Sequence, residues 1–461
     1  MTENALLHLT GDLPEDALVT AYVAEEALSV PFRVVIDFCT RDTSFDVDTL
    51  LRTTALLQVT SAKGTSRFFH GLVASSEFTR VVGEMFHFRV VLRPSLWLLS
   101  LREDVRIFQE LNVQEIIDTL LADAGLDATT KWDLLLTHAK RNFTVLHRES
   151  PLNFIQRLCE DAGILYYFTH TDEGHTLHFC DQLEALDDLG EPVELALGER
   201  SGIGSEPLRR IQRRMKIRTT DIALRDFDLN NPLVFPESAI PLGGPLPQPV
   251  FDYPGEFTTS AEAKARSLVR LRALRHDADL VEGVSETTSL VPGRAITVGG
   301  AVEGDANGDF RISHMTSSGV QHSESGGRVR SSLVQFRAFP TSAPYFPPHR
   351  ARRPTITGVQ TAVVVGAENQ DQSIFVDDLG RIKVHFHWDR LQEFDDKASC
   401  WIRVSQVPLG GSMILPRVGW EVSVAFLEGN PDRPVVLGSV YNSDNMPPMS
   451  LPDAKASGAF S

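Results

Sequence analysis

Arg381, Lys383, His385 and His387 fall at every second position, with Ile382, Val384, Phe386 and Trp388 between them. On a strand this alternation puts two cations and two imidazoles on one face and four apolar groups on the other. His385 and His387 would then stand roughly 6.5–7 Å apart along the strand, which suits a metal site if a third ligand arrives from elsewhere. No ligand-spaced Cys or acidic motif accompanies them, so a solvated or inter-subunit polar face is the simpler expectation. A second group, His170, His175 and His178, surrounds Asp172-Glu173-Gly174, which reads as a hairpin turn carrying surface histidines.

The adjacent carboxylates Asp377/Asp378 and Asp395/Asp396 sit in turn-like contexts, where neighbouring acids say little about acid/base catalysis. Gly-x-Ser-x-Gly, Gly-x-x-x-x-Gly-Lys-Ser/Thr, His-Glu-x-x-His and Gly-x-Gly-x-x-Gly are all absent. The aromatic run Ile164 to Phe168 is explained by core packing without a ligand. The residues therefore nominate no catalytic, cofactor-binding or metal-binding position, and the expectation is a protein that is not an enzyme and carries no cofactor.

The elements that hold these groups are mostly strands. Phe32, Val34, Ile36 and Phe38 alternate with polar neighbours, as do Phe86, Phe88 and Val90. Lys63-Gly64-Thr65 supplies a turn before Arg67 to Val73, so the first ~100 residues suggest a meander or barrel. Two capped helices follow Pro94. Asn112 and Glu115 form a capping box ahead of the stripe Val113, Ile116, Ile117, Leu120 and Leu121, with Gly125 at its end. Ser150-Pro151 starts a second helix with Phe154, Ile155, Leu158, Cys159 and Ala162 on one face, ending at Gly163.

Residues 181–257 are acidic and proline-rich, and Pro241 to Pro247 reads as a long loop or linker. A third helix is expected over about Ser260–Arg275. Its inner face would be Ala261, Ala265, Leu268 and Leu271, and its outer face Lys264, Arg266, Arg270, Arg272 and Arg275, paired with local acids or a partner subunit. Strands resume around Gly283–Val298, with a turn at Pro292-Gly293, and around Val329–Phe339. A proline cluster from Pro340 to Pro354 then makes the best domain boundary, and residues 355–445 carry strand and turn signals with no helix. Near the end, Trp420, Val422, Val424 and Phe426 bury one face of a strand. Gly429-Asn430-Pro431-Asp432 turns it, and Val435 to Val440 returns.

At 461 residues the chain is long enough for about three domains, and no apolar run approaches the ~18 residues of a membrane helix. Met1 to Ala5 lack the basic start and apolar core of a secretory signal, so synthesis in the cytoplasm is expected. Cys39, Cys159, Cys180 and Cys400 are scattered and read as reduced, buried thiols. The net charge of −17 opposes general affinity for phosphate backbones or anionic membranes. An OB-type barrel over 355–445 often binds oligonucleotides, but this stretch holds seven Lys and Arg against twelve Asp and Glu, a net of −5.

Several motifs in order then resemble one family. Arg106-Ile107-Phe108-Gln109, the helix at Val113, and Arg148 to Ile155 through Gly163 to Phe168 look like the tube-forming part of the VgrG family. Gly380 to Trp388, Trp401-Ile402-Arg403-Val404, Pro416 to Trp420 and Gly429 to Pro434 resemble its OB module. The resemblance implies a mainly β chain with an α+β insertion, assembled as a homotrimeric spike of the bacterial type VI secretion system. The implied domains are a first tube-type barrel (1–100), an α+β domain (101–180), a second tube-type barrel with its helix (181–345), an OB-fold barrel (355–445) and a tail or needle start (446–461).

In such a spike two barrels per subunit form a pseudo-sixfold ring matching the hexameric Hcp inner tube. Baseplate proteins, cargo effectors and a PAAR-type tip protein are the further partners, with no nucleic acid and no stable membrane insertion. The protein would be cytoplasmic, assembled in the apparatus, and delivered out of the cell or into a target cell on sheath contraction. Within this class the alternative is the equivalent spike of a contractile phage tail or extracellular injection particle. From another class, the alternative is a cell-wall hydrolase using an acidic pair.

Overall fold

The computed structural model describes residues 7–61, 64–197, 205–233, 235–242, 246–301, 306–324, 327–367, 373–391, 393–406 and 413–454. Lys63 of the expected first turn, residues 243–245 of the proline-rich loop and residues 455–461 of the tail lie outside them. The chain forms two compact units. The first is Met1–Leu99, Leu121–Thr137 and Gln156–Arg350, and the second is Ser100–Leu120, His138–Ile155 and Ala351–Ser461.

The first unit opens with β1 (Leu7–Thr10), β2 (Leu18–Ala27), β3 (Val30–Thr40), β4 (Thr54–Thr60), β5 (Ser66–Val82) and β6 (Met85–Arg93). They pair antiparallel in the order β1-β4-β5-β6-β3-β2. Period-two alternation drives one face inward, and Phe32, Val34, Ile36, Phe38, Leu57 and Phe69 form its core.

Next come β7 (Asp104–Phe108), α1 (Val113–Ala122), β8 (Thr130–Asp133), β9 (Thr144–Glu149), α2 (Pro151–Ala162), β10 (Leu165–His170) and β11 (His175–Cys180). The capping box of α1 is present: Glu115 N donates to Asn112 Oδ1 at 2.9 Å and Asn112 N to Glu115 Oε2 at 2.7 Å. Ser150 caps α2 by accepting from Asn153 N, and Gly163 ends it at φ 73. β10 and β11 form a hairpin through Thr171–Gly174, and β8 joins β11 in parallel.

The acidic, proline-rich stretch 181–257 carries strands, and the loop expected at Pro241 to Pro247 falls between two of them. It holds β12 (Val193–Leu197), β13 (Glu206–Met215), β14 (Asp221–Arg225), β15 (Glu237–Pro241) and β16 (Pro249–Asp252), followed by α3 (Ser260–Leu274). Its weak periodicity has a physical cause, because β13 exposes Arg209, Arg214 and Met215 and half-buries Ile211, so little apolar alternation is written there. Then follow β17 (Asp279–Ser285), β18 (Ala295–Gly299), β19 (Gly308–Glu324) and β20 (Gly327–Pro340). β19-β18-β12-β13-β17-β20 close into a ring because β20 pairs back to β19.

β19 also joins this closed barrel to the first six strands. Its start pairs β18 through Arg311, and from His314 onward it pairs β2. Between the two lies a bulge at Ser313, whose carbonyl accepts from Leu28 N at 3.0 Å. Before the bulge Phe310 and Ile312 point inward, and after it Met315, Ser317 and Gln321 do. One extra residue thus shifts the phase so that one strand serves two cores.

The second unit contains β21 (Gln360–Val365), β22 (Lys383–Phe386), β23 (Arg403–Val404), β24 (Glu421–Phe426) and β25 (Pro434–Val440), ordered β22-β21-β24-β25-β23. A bridge between Ile382 and Ile402 closes this five-stranded barrel. Val364, Val384, Phe386, Val422, Val424 and Val436 fill it, with Trp420 partly buried against them. The β24–β25 turn follows the expected chemistry, with Arg433 N donating to Asn430 O at 3.0 Å across Pro431-Asp432. A 3-10 turn, Leu427–Gly429, precedes it, so among its described residues the stretch read as free of helix contains one short turn.

Candidate functional site

His70, His170 and His175 come together beneath the first six strands, where the sequence suggested surface histidines. The β10–β11 hairpin carries His170 and His175 as a directly opposed pair. His70 Nδ1 lies 3.1 Å from His175 Nδ1, and His70 N donates to His170 Nδ1 at 3.2 Å. Phe32 packs edge-on against both hairpin rings, at 4.7 and 5.5 Å. His170 Nε2 is 4.0 Å from Glu26 Oε1, and Glu26 is itself held by Arg67 at 2.5 Å, both side chains being over 90% buried.

Burial disfavours the imidazolium, pushing His175 down to about 4 and His170 well below its ordinary value, with the neighbouring histidines acting in the same sense. His178 is separate, stacked on Tyr167 at 4.8 Å with Asp133 3.9 Å away. Neither His70 nor the Arg67–Glu26 pair was singled out from sequence. Period-two burial of Arg67 beside Phe69 was the signal available, since both lie on the inward face of one strand.

The expected polar face at 381–387 is not one solvated face. β22 is confined to Lys383–Phe386, and His385 is buried with its ring stacked on Phe394 at 3.8 Å. His387 is exposed and 3.6 Å from Glu421. Arg381 pairs with Asp377 at 2.6 Å, while Lys383 donates to Asp396 O and lies over Trp401. Among the described residues no group of three or more His, Cys, Asp or Glu is arranged to hold a metal ion.

The acidic pairs are structural in their contacts. Burial opposes ionisation of Asp377, but the Arg381 backbone and guanidinium together with Leu379 N outweigh it and hold the carboxyl below its ordinary value. A general acid needs the opposite shift. Asp395 is buried and accepts from Lys397 N at 2.8 Å as part of a turn.

α3 has the expected capping box, Thr259 with Glu262, but a different inner face. Ala263, Ser267, Leu271 and Ala273 are buried, whereas Ala261 and Ala265 are exposed and Leu268 is half-buried. Three of the four arginines expected outside are paired locally, Arg266 with Glu256 at 3.2 Å, Arg270 with Asp252, and Arg275 with Thr219 O at 2.7 Å, whereas Arg272 is half-buried and its Nε has no hydrogen-bond partner among the described residues. All four cysteines are buried and unpaired in disulfides.

What distinguishes the molecule is therefore architectural. Residues 25–323 match the phage tail baseplate hub family (GPD), and residues 360–441 match the type VI secretion system/phage-baseplate injector OB domain. The Pseudomonas aeruginosa type VI secretion system spike protein VgrG1a is 30% identical over 95% of this chain and 70% of its own length. The chain belongs to the VgrG family of type VI secretion spike proteins.

Another P. aeruginosa VgrG, VgrG4b, is 32% identical over 97% of this chain and 57% of its own length. The chain spans about three fifths of the length of VgrG4b, VgrG5 and VgrG1b. The Vibrio cholerae actin cross-linking toxin VgrG1 matches 92% of this chain over 39% of its own length. Among solved structures, the E. coli c3393 protein is described as a type VI secretion component similar to the T4 tail proteins gp27 and gp5. It superposes with a TM-score of 0.69 at 21% identity, covering 94% of this chain and 99% of its own. A chain of the half-lidded Francisella PdpA–VgrG complex gives 0.62 at 9% identity, covering 92% of this chain and 74% of its own. The mainly β fold and OB barrel of this VgrG chain agree with those expected from its motifs. Among the described residues no helix is long and apolar enough to cross a membrane.

Proposed function

We propose that the chain is the base of a homotrimeric type VI secretion spike that seats on the Hcp inner tube and supports effector delivery when the sheath contracts. The observation that carries this reading is the fusion of two six-stranded sets through β19 in one chain. Three copies of a chain with two such sets present six, which suits docking on a hexameric ring. In this reading residues 1–100 and 181–345 are the two tube-type barrels, 101–180 the α+β part, 355–445 the OB domain, and 446–461 a tail or needle start. Baseplate proteins, cargo effectors and a PAAR-type tip are its further partners, and its role is mechanical, not enzymatic. Closed barrels suit that role because they leave few free strand edges and resist shear.

Light scattering on the chain extended past Ser461 should give about three times the 51.0 kDa chain mass. Negative-stain images should show a threefold view, and an Hcp hexamer should co-purify. A compact particle with no threefold view in the extended chain would sink the proposal.

A further inference from the structure

A cavity of about 700 Å³ opens in the second unit, walled by the end of β9, the first turn of α2 and residues 352–360. That volume lies in the range of ~300–1,000 Å³ common to ligand pockets. Its floor includes His147, only 6% exposed, whose ring meets Trp388 edge-on at 6.0 Å and whose Nδ1 has no hydrogen-bond partner. Trp388 is fixed by donating Nε1–H to Gln360 Oε1 at 2.8 Å, so the imidazole is backed by a held surface. A buried polar atom left unpaired costs about 1–3 kcal/mol, and a ligand group entering the cavity removes that cost.

Arg148 sits at the rim by an unusual device. Val105 opposes His147 and Asp104 opposes Glu149, so Arg148 is the extra residue of a bulge, and its φ is 47. A left-handed non-glycine bulge is strained, and bulges commonly re-aim a side chain. Here Glu149 turns inward while Arg148 is exposed to the cavity. Arg352 also lines the cavity, its backbone clamped by Asn153 through both N–H and C=O at 2.9 and 2.7 Å. Among the described residues neither the Arg148 nor the Arg352 guanidinium makes a hydrogen bond or ion pair.

The positive end of α2 points at the same space, since Ser150 and Asn153 both line it. With Arg353, Glu103 and Glu149 also in the wall, the net formal charge is about +1, matched to a single carboxylate and not to a polyphosphate.

We propose that this cavity binds one carboxylate of an acidic ligand, with Arg148 and Arg352 as its cations and His147 Nδ1–H as the buried donor. The acid comes from an Asp or Glu side chain of a protein segment, or from a free dicarboxylate. Fluorescence anisotropy on the full chain, with a labelled, C-terminally amidated Gly/Ser hexapeptide holding one central aspartate, tests the first source. Calorimetry with succinate tests the second. Saturable binding is expected, at least tenfold weaker for the asparagine peptide and for Arg352→Gln. Arg148→Gly is expected to weaken binding as much while leaving the thermal midpoint unchanged or higher, because glycine accepts a φ of 47 without strain. Peptide binding assigns a protein source, and succinate binding alone a free dicarboxylate. No saturable binding of either probe, equal binding of the asparagine peptide, or binding undiminished in both arginine variants overturns the proposal.

Discussion

His175 meets His70 at 3.1 Å under the Phe32 ring, and this contact has a pH signature. Its folded pKa, about 4, lies below the ordinary histidine value, so the unfolded chain binds the proton more readily than the folded one. The stability of burying it neutral is fully present above about pH 6.5 and is lost as pH falls from there toward about 4. The slope is up to about 1.4 kcal/mol per pH unit for each such histidine. Carboxylates such as Asp277, held low first by the Arg218 hydrogen bond, lose their contribution only at lower pH. Urea unfolding at pH 7, 6 and 5 should therefore show stability falling, and His175→Gln should flatten that fall while losing the ring contact with Phe32. An unchanged slope in the variant would remove His175 from the account. None of this was legible from His170, His175 and His178 alone. Their hairpin was correctly placed, but the barrel strand that covers it, with His70, is about 100 residues away in sequence.

The elements were legible in proportion to how fully their residues obey one period. α1 and α2 carry large apolar groups at helical spacing and end on Gly125 and Gly163, both at positive φ. α3 was located with its cap, yet its inner face was assigned to the wrong alanines, because alanine and serine are small enough to sit on either side. The buried set Ala263, Ser267 and Leu271 follows i, i+4 spacing against β14 and β15. Ala263→Leu should then overpack and cost about 1–3 kcal/mol in chemical denaturation. Ala265→Leu, on the exposed side, should stay within about 0.5 kcal/mol of the parent. Equal costs for the two would restore the face expected from sequence. β19 escaped notice for a related reason: its inward residues after the bulge include Ser317, Gly319 and Gln321, so its buried face is not apolar.

At the scale of the whole molecule, joining a closed six-stranded barrel to a second six-stranded set depends on one strand changing partner. Ser313 is where that change occurs. Its carbonyl is taken by Leu28 N, its hydroxyl donates to Arg337 O at 3.2 Å, and the ladder slips by one residue across it. Replacing the side chain removes one partly buried hydrogen bond, worth about 0.5–1.5 kcal/mol, and leaves the backbone phase intact. Removing the residue takes out the one position that β20 does not oppose, so the Ile312–Ala338 pair runs straight into His314–Arg337 and Met315 and Ser317 stay inward, while Leu28 N loses its acceptor. Ser313→Ala should therefore remain soluble with a slightly lower thermal midpoint. Deletion of Ser313 should keep one cooperative transition at a midpoint below that of Ser313→Ala, because the register survives and the Leu28 N–H is left without its acceptor. Circular dichroism melts and limited proteolysis separate the outcomes. If the deletion abolishes the cooperative transition, the bulge does more than absorb an extra residue and is itself needed to join the two strand sets.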